Sequence, residues 1–170
     1  MARPVPQLQT NLKVRTPMSQ AEENLKALGL TLPDTPVPVA TYVPFRQEGK
    51  IIYLSGQGPK KSDGSYHLGV VGEDVTTETA YEHARLTGLY LLSVAKLAAG
   101  SLDRVRVLKL FGMVRAAPDY ADHPKVINGC SDLLVAVLGE DGKHARSAVG
   151  MGSLPNRMTV EIECIIALKD

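Results

Sequence analysis

The 170-residue sequence contains few of the residues on which several kinds of site depend. It has only two cysteines, Cys130 and Cys164, and none of the paired Cys or His spacings typical of zinc ligands. Two cysteines cannot form a disulfide framework, and so low a number is typical of the reducing cytoplasm. We therefore expect a cytoplasmic protein without a metal site.

Aromatic residues and excess charge are also scarce. The chain has no Trp and two Phe, and its 19 basic and 18 acidic residues leave a net charge of +1. Proteins that bind nucleic acid usually concentrate basic residues and stack bases on aromatic side chains. The composition therefore argues against a nucleic acid partner. No apolar run reaches the roughly 18 residues that cross a bilayer, so we expect no membrane partner either.

The N-terminal part, residues 1–38, is predicted to be an extension of the main domain. Its first seventeen residues contain no acidic residue, which is compatible with a flexible or partner-held tail or with organelle targeting. Ser19 to Glu22 reads S-x-x-E, a capping box that predicts a helix over 20–28. The proline-rich stretch 31–38 then serves as a linker. A single domain is expected over 39–170.

The main domain is predicted to be α+β, with one mixed sheet and two helices packed on one side. Pro44 lies inside the first apolar run, which favours an edge strand there. The apolar phase changes between Val107 and Leu108, which indicates a bulge or burial of both faces. The predicted elements are strands over 39–46 and 51–55, a helix over 77–99, a strand over 104–114, a helix over 124–138, and strands over 145–151 and 158–168.

The last predicted strand has two different faces. One face is apolar throughout, whereas the other carries Glu161 and Glu163 with Ile165 and Ala167. Two helices cover only one face of such a sheet, so the second face needs a cover that the chain does not supply. Closed homo-oligomers are the common solution, and we therefore expect self-association.

Arg146 stands out because a guanidinium is almost never buried without a partner. We expect the strands over 145–151 and 158–168 to form a hairpin, which would place Arg146 beside Glu161. One interpretation is a cross-strand ion pair, worth about 0.2–1 kcal/mol. A bridge between subunits and a site for an external ligand are the alternatives.

An ordered set of short motifs resembles the Rid family, the reactive intermediate deaminases also called YjgF or L-PSP proteins. ARSAVG is followed by a Leu-Pro turn and then by the strand VEIE. Upstream, SGQ follows an apolar strand. The resemblance also includes Tyr42 in the first strand and Asn128 in the second long helix, and it runs from about residue 39 to residue 168.

The resemblance implies a chorismate-mutase-like fold, a homotrimer with active sites in clefts between subunits, and no cofactor. Members hydrolyse imines, such as 2-iminopropionate, to the 2-oxo acid and ammonia. Arg146 would then hold the carboxylate of a small metabolite, and Glu161 would activate water or relay protons. Glu163, which faces the same way, is expected in a salt bridge. The residues that would bind the substrate are Tyr42, Ser55, Gly56, Asn128 and Ala148.

Departures from the family pattern limit what can be transferred. Ala148 stands where many relatives have a cysteine, so thiol chemistry is excluded at that position. The loop over 56–72 and the N-terminal extension are longer than in the short family form. A binding protein for 2-oxo acids without catalysis therefore remains an alternative, and the ribonuclease activity historically attached to the family is a weaker one.

The four histidines show no metal-binding spacing. We expect each to be a surface or capping residue. His144, two residues before Arg146, is the one that we expect to border the cleft.

Overall fold

A computed structural model describes residues 19–35 and 41–170. Its sheet has five strands in the order β1-β2-β5-β3-β4, antiparallel except for the parallel pair β3 and β4. The predicted α+β class with a mixed sheet is confirmed. The elements are α1 (Gln20–Ala27), β1 (Phe45–Glu48), β2 (Ile51–Gln57), α2 (Thr77–Ala99), β3 (Val105–Arg115), α3 (His123–Leu138), β4 (Ala145–Met151) and β5 (Val160–Leu168).

The helix boundaries follow from their capping residues. Ser19 accepts a hydrogen bond from the Glu22 N–H, and the Glu22 side chain accepts one from the Ser19 N–H, so the predicted capping box is present. Thr76 caps α2 in the same way through the Thr79 N–H, and α2 ends before Gly100 as predicted.

The predicted irregularity in β3 is a bulge. Val107 pairs with Ile166, and Lys109 pairs with the preceding residue of β5, Ile165, so Leu108 is the extra residue. The buried positions change from Val105 and Val107 to even-numbered residues after the bulge. The change of apolar phase in the sequence is thus explained by this bulge.

The bounds predicted for the first two strands were wrong. The first strand was expected over 39–46 but begins at Phe45, because Pro44 has no N–H with which to extend the ladder; residues 39 and 40 lie outside the described part. β2 continues to Gln57 through a register shift after Leu54, in what was expected to be loop.

The predicted hairpin of the last two strands was also wrong. β4 runs parallel to β3 at the sheet edge, and β5 lies on the other side of β3. The connection crosses the end of β3, where the Ala116 N–H donates to the Met151 carbonyl and the Arg115 N–H donates to the Thr159 carbonyl. A hairpin needs antiparallel neighbours, and the pattern of apolar residues does not carry strand direction.

Both long helices pack on one face of the sheet, and α1 packs on α3. The Asp103 carboxylate accepts hydrogen bonds from the N–H groups of Gln20 and Ala21, and the Asn24 side chain donates to the Val137 carbonyl. Among the described residues no helix packs on the other face. Fully buried side chains between sheet and helices include Ile52, Leu91, Leu92, Leu110, Ile127, Ile162 and Ile166.

Replacing Gly129 with alanine is expected to destabilise the fold strongly. A Cβ there would lie 2.0 Å from the Tyr81 carbonyl oxygen of α2. Backbone cannot give way as a side chain can, so we expect a loss of about 3 kcal/mol or more in the free energy of unfolding. Urea denaturation of the purified variant measures this loss.

Gly88→Ala is the matched control, since it adds the same methyl group to the facing helix. Its Cβ would meet the side chains of Leu133 at 3.0 Å and Cys130 at 3.1 Å, and the nearest backbone atom, the Cys130 Cα, at an ordinary contact distance of 3.5 Å. Both substitutions gain the same helix propensity, so their difference isolates the contact between helices. Equal effects of the two would contradict a backbone clash at Gly129.

His83 is buried, contrary to the prediction that every histidine lies at the surface or caps a helix. Its exposed fraction is 8%, its Nδ1 lies 3.0 Å from the Thr159 hydroxyl, and its ring stacks on His67 at 4.1 Å. Burial, with smaller contributions from His67 and Lys61, lowers the pKa of His83 to about 4. The imidazole is therefore held neutral where α2, the residue before β5 and the loop before α2 meet.

This histidine predicts loss of stability in mild acid. Its pKa is 6.5 when unfolded and about 4 when folded, so the unfolded chain binds the extra proton between these values. The contribution of His83 to the free energy of unfolding is fully present above pH 6.5, and it falls by about 3 kcal/mol as the pH drops toward 4. Urea denaturation from pH 7 to pH 4 at one protein concentration measures the slope.

His83→Asn keeps a partner for Thr159 but removes the titrating group. We expect this variant to lose less stability on acidification than the wild type. A slope unchanged by the substitution would show that other groups cause the acid sensitivity.

Candidate active site

The Arg146 side chain is held against α3 on the helix side of the sheet edge. Arg146 lies on β4, opposite Leu110 of β3, and its side chain is partly buried. Its Nη1 donates to the Asn128 Oδ1 at 2.8 Å and to the Ser131 Oγ at 3.0 Å. Asn128 and Ser131 are one helical turn apart, which places both acceptors on the same face of α3.

A histidine extends this contact. The Nε2 of His144 lies 3.0 Å from the Ser131 Oγ, and its Nδ1 lies 2.7 Å from the Gly142 carbonyl oxygen. A continuous series of hydrogen bonds thus runs from Arg146 through Ser131 and His144 to the Gly142 carbonyl. We call Arg146, Asn128, Ser131 and His144 the arginine cluster.

The positive charge of Arg146 has no counter-charge in the described part of the chain. No carboxylate there lies within ion-pair distance of the guanidinium. Its Nε and Nη2 make no hydrogen bond to a described residue, and neither is a buried unpaired atom. The edge formed by these two nitrogens is therefore unpaired among the described residues and not fully buried, and it has the planar spacing that matches a carboxylate.

Glu161 lies on the opposite, uncovered face of the sheet. It is half-buried, and a Cβ on Gly56 would lie 2.4 Å from its Oε1, so the carboxylate occupies space that only glycine leaves free. Burial, and to a smaller extent the neighbouring Glu163, raises the pKa of the Glu161 carboxyl above its usual range. We call Glu161, Gly56, Ser55 and Tyr42 the glutamate cluster.

The other members of the glutamate cluster lie at the bulge of β2 and before β1. Ser55 donates a hydrogen bond through its hydroxyl to the Val43 carbonyl at 2.7 Å, which ties the strand to the segment that carries Tyr42. Tyr42 is 51% exposed, as is Tyr53 beside it. A shallow groove lined by both tyrosines, Val43 and Ser55 runs along this edge of the sheet.

The two clusters cannot meet within one chain. Glu161 is level with Val149 of β4, three residues along from Arg146, and one strand, β3, lies between β4 and β5. Three residues along and two strand spacings across place the two backbones about 14 Å apart. The side chains also point to opposite faces, so the expected side-by-side arrangement of Arg146 and Glu161 is wrong, and the ion pair is absent.

Ala148 lies with the arginine cluster, since it is on the same side of β4 as Arg146 and packs against the core. Neither cysteine offers a thiolate. Burial raises the pKa of the Cys164 thiol to about 12, and burial raises that of Cys130 still further. Cys130 is fully buried in the core.

Residues 19–35 and 41–170 contain neither a cluster of metal ligands nor a membrane-spanning helix. No group of three or more His, Cys, Asp or Glu side chains there is placed to hold a metal ion. No helix of this part is both long enough and apolar enough to cross a membrane.

Sequence reasoning missed Ser131. The signal was present, because Asn128 and Ser131 are three residues apart in a predicted helix and must share a face. His144 was expected to border the cleft, and it contacts Arg146 only through Ser131.

Comparison with known proteins places this geometry in a family. Residues 22–168 match the family model described as "YjgF/chorismate_mutase-like, putative endoribonuclease". Protein TCP17 of Trypanosoma cruzi is 38% identical over 149 residues, which cover 86% of this chain and 93% of that protein.

Solved structures give the same result. The protein Atu1372 of unknown function from Agrobacterium tumefaciens is 43% identical with a TM-score of 0.80, covering 88% of this chain and 94% of that one. A "putative endoribonuclease" from Shewanella oneidensis is 30% identical with a TM-score of 0.84, covering 88% of this chain and all of that one. The chain therefore belongs to the YjgF family, whose members are also called L-PSP or Rid proteins.

Proposed function

We propose that this protein hydrolyses the imines of small carboxylate-bearing metabolites to 2-oxo acids and ammonia without a cofactor. The observation that carries the proposal is the Nε–Nη2 edge of Arg146, which has no partner among the described residues while Nη1 is held by Asn128 and Ser131. A guanidinium so anchored is prepared to bind a carboxylate in two parallel hydrogen bonds. The resemblance to deaminases supplies the reaction, and Ser55, Gly56 and Tyr42 supply the remaining walls of the site.

The chemistry needs only water and one carboxyl group. The imine carbon next to the carboxylate is electrophilic, and water adds to it to give a tetrahedral amino alcohol. Glu161 takes a proton from the attacking water and gives it to the imine nitrogen, which completes the amino alcohol. It then takes the proton of the new hydroxyl group and passes it to the same nitrogen, so that ammonia leaves as the carbonyl forms. A raised pKa suits both transfers, because the group must accept and donate near neutral pH.

The site is proposed to form between subunits of a homotrimer. Arg146 and Glu161 lie about 14 Å apart on opposite faces of one chain, so a small substrate that contacts both needs them from different copies. The uncovered face carries the half-buried Phe111, Met113 and Ile165, an apolar surface for such an assembly. This arrangement agrees with the trimer that the family resemblance implies, and the two free cysteines agree with a cytoplasmic location.

Imino-acid turnover tests the proposal. An amino-acid oxidase generates 2-iminopropionate and related imino acids, and semicarbazide traps whatever imine remains. Purified protein is expected to reduce the trapped imine in proportion to its concentration. Unchanged trapping across imino acids of several side chains, with an intact oligomer, would contradict the proposal.

Two alternatives give different results in the same preparation. A binding protein for 2-oxo acids would show thermal stabilisation by pyruvate without imine turnover. An endoribonuclease, the activity that the family description and the Shewanella relative name, would cleave RNA and bind it with strong salt dependence. The net charge of +1 argues against this last activity.

A further inference from the structure

The hydrogen bonds of His144 fix which of its nitrogens carries the proton. A carbonyl oxygen can only accept, so the Nδ1 that faces Gly142 at 2.7 Å is the N–H of the neutral ring. Its Nε2 is then an acceptor, and the Ser131 hydroxyl 3.0 Å away donates to it. The single hydroxyl hydrogen is thereby used, and the lone pairs of Ser131 remain for the Arg146 Nη1 at 3.0 Å.

The end of this series of hydrogen bonds that lies away from Arg146, at the Gly142 carbonyl, is rigid. Gly142 is buried, and a Cβ there would lie 2.3 Å from the Leu134 carbonyl oxygen of α3, so the turn before β4 fits tightly on the helix. The carbonyl that orients His144 is thus fixed relative to the same helix that carries Ser131 and Asn128. Ser131 and His144 each donate one hydrogen bond and accept one, and no donor meets a donor.

We propose that Ser131 and His144 are positioning residues that hold Arg146 with its Nε–Nη2 edge turned outward. This inference rests on the proposed function and deepens it. Asn128 alone would hold Nη1 by one hydrogen bond, about which the guanidinium could swing. The second acceptor, Ser131, fixes the plane of the guanidinium, and His144 keeps the Ser131 hydroxyl turned away from it. Recognition of the substrate carboxylate by Arg146 therefore depends on the tautomer of His144, which contacts Arg146 only through Ser131.

Kinetics separate positioning from catalysis. Arg146 would hold the carboxylate equally in the ground state and the transition state, so loss of its support should raise KM and leave kcat nearly unchanged. Loss of a hydrogen bond to a charged group predicts that Ser131→Ala raises KM about tenfold. His144→Phe should act in the same direction.

Conservative variants provide the matched controls. Ser131→Thr keeps the hydroxyl, and His144→Gln offers an amide oxygen near the position of Nε2; both are expected to retain a nearly wild-type KM. Ser62→Ala in the exposed loop before α2 should change nothing. The inference is overturned if Ser131→Ala has a wild-type KM, or if Ser131→Thr is impaired as severely as alanine.

A second measurement does not depend on turnover. Nitrogen-15 NMR of the oligomer at neutral pH should show His144 as the Nδ1–H tautomer, with slow rotation about the Nε–Cζ bond of Arg146. Ser131→Ala should accelerate that rotation. An Nε2–H tautomer, or equal rotation in both proteins, overturns the inference even if imines are hydrolysed. If no imine is hydrolysed but both NMR signatures are present, the proposed function fails and the positioning of Arg146 stands.

Discussion

Arg146→Ala is expected to lower kcat/KM for imino-acid hydrolysis by roughly a hundredfold to ten-thousandfold. Two charge-assisted hydrogen bonds to the substrate carboxylate would be lost, each worth about 1.5–3 kcal/mol. No carboxylate within the described residues pairs with this guanidinium, so its removal leaves no orphaned partner charge in the chain. Steady-state assays with 2-iminopropionate measure the loss.

Arg146→Lys tests geometry rather than charge. A lysine ammonium keeps the positive charge but cannot present two parallel N–H groups to a carboxylate while it also bonds to Asn128 and Ser131. We expect most of the alanine defect to remain. Sedimentation of both variants is the control, since dissociation of the oligomer would assign Arg146 a role in assembly instead. A lysine variant with full activity would contradict bidentate recognition.

Features set by neighbours in sequence could be predicted from the sequence. The α1 capping box, the ends of α2 and the bulge at Leu108 depend on residues a few positions apart, and each left a local pattern. The pairing of β4 with β3 leaves no such pattern, because strand direction depends on the path of the chain across the end of β3. The predicted contact between Arg146 and Glu161 failed for this reason alone.

The candidate site shows the same division. Motif residues such as Arg146, Glu161 and Gly56 could be chosen from the family resemblance, although their separation into two clusters could not. Helical periodicity was enough to predict that Ser131 shares a face with Asn128. The tautomer of His144 was not, because it depends on a carbonyl whose position is set by the contact of Gly142 with α3.

Gly56 explains why the carboxylate of Glu161 can be half-buried without a partner among residues 19–35 and 41–170. The absent side chain at Gly56 leaves the space that the Glu161 Oε1 occupies, on a face without a helix in the described part of the chain. The environment there opposes ionisation, which raises the pKa of the carboxyl. If the carboxylate form activates water, the rate falls as the pH drops through a value above the usual range for glutamate.

Glu161→Gln is expected to lower kcat by about a hundredfold or more, in the range of general acid–base catalysis. The amide keeps the size of the side chain and its fit beside Gly56, so assembly should be unchanged. KM should change little, because Arg146 still holds the carboxylate. Glu163→Gln is the matched control, since Glu163 is an exposed glutamate of the same strand and face. Equal defects in the two variants would contradict a specific role for Glu161.

The two inactive variants together test where the site lies. If each site takes Arg146 from one copy and Glu161 from another, Arg146→Ala and Glu161→Gln chains unfolded together and refolded as mixed trimers will regenerate intact sites. Random assembly of equal amounts gives both native residues to about one site in four, so about a quarter of wild-type activity should return. Each variant refolded alone should stay inactive, and a chain that carries both substitutions should restore nothing to either. If the site lay within a single chain, no mixture would recover activity, because no chain carries both native residues. We expect recovery because Arg146 and Glu161 lie about 14 Å apart on opposite faces of one chain.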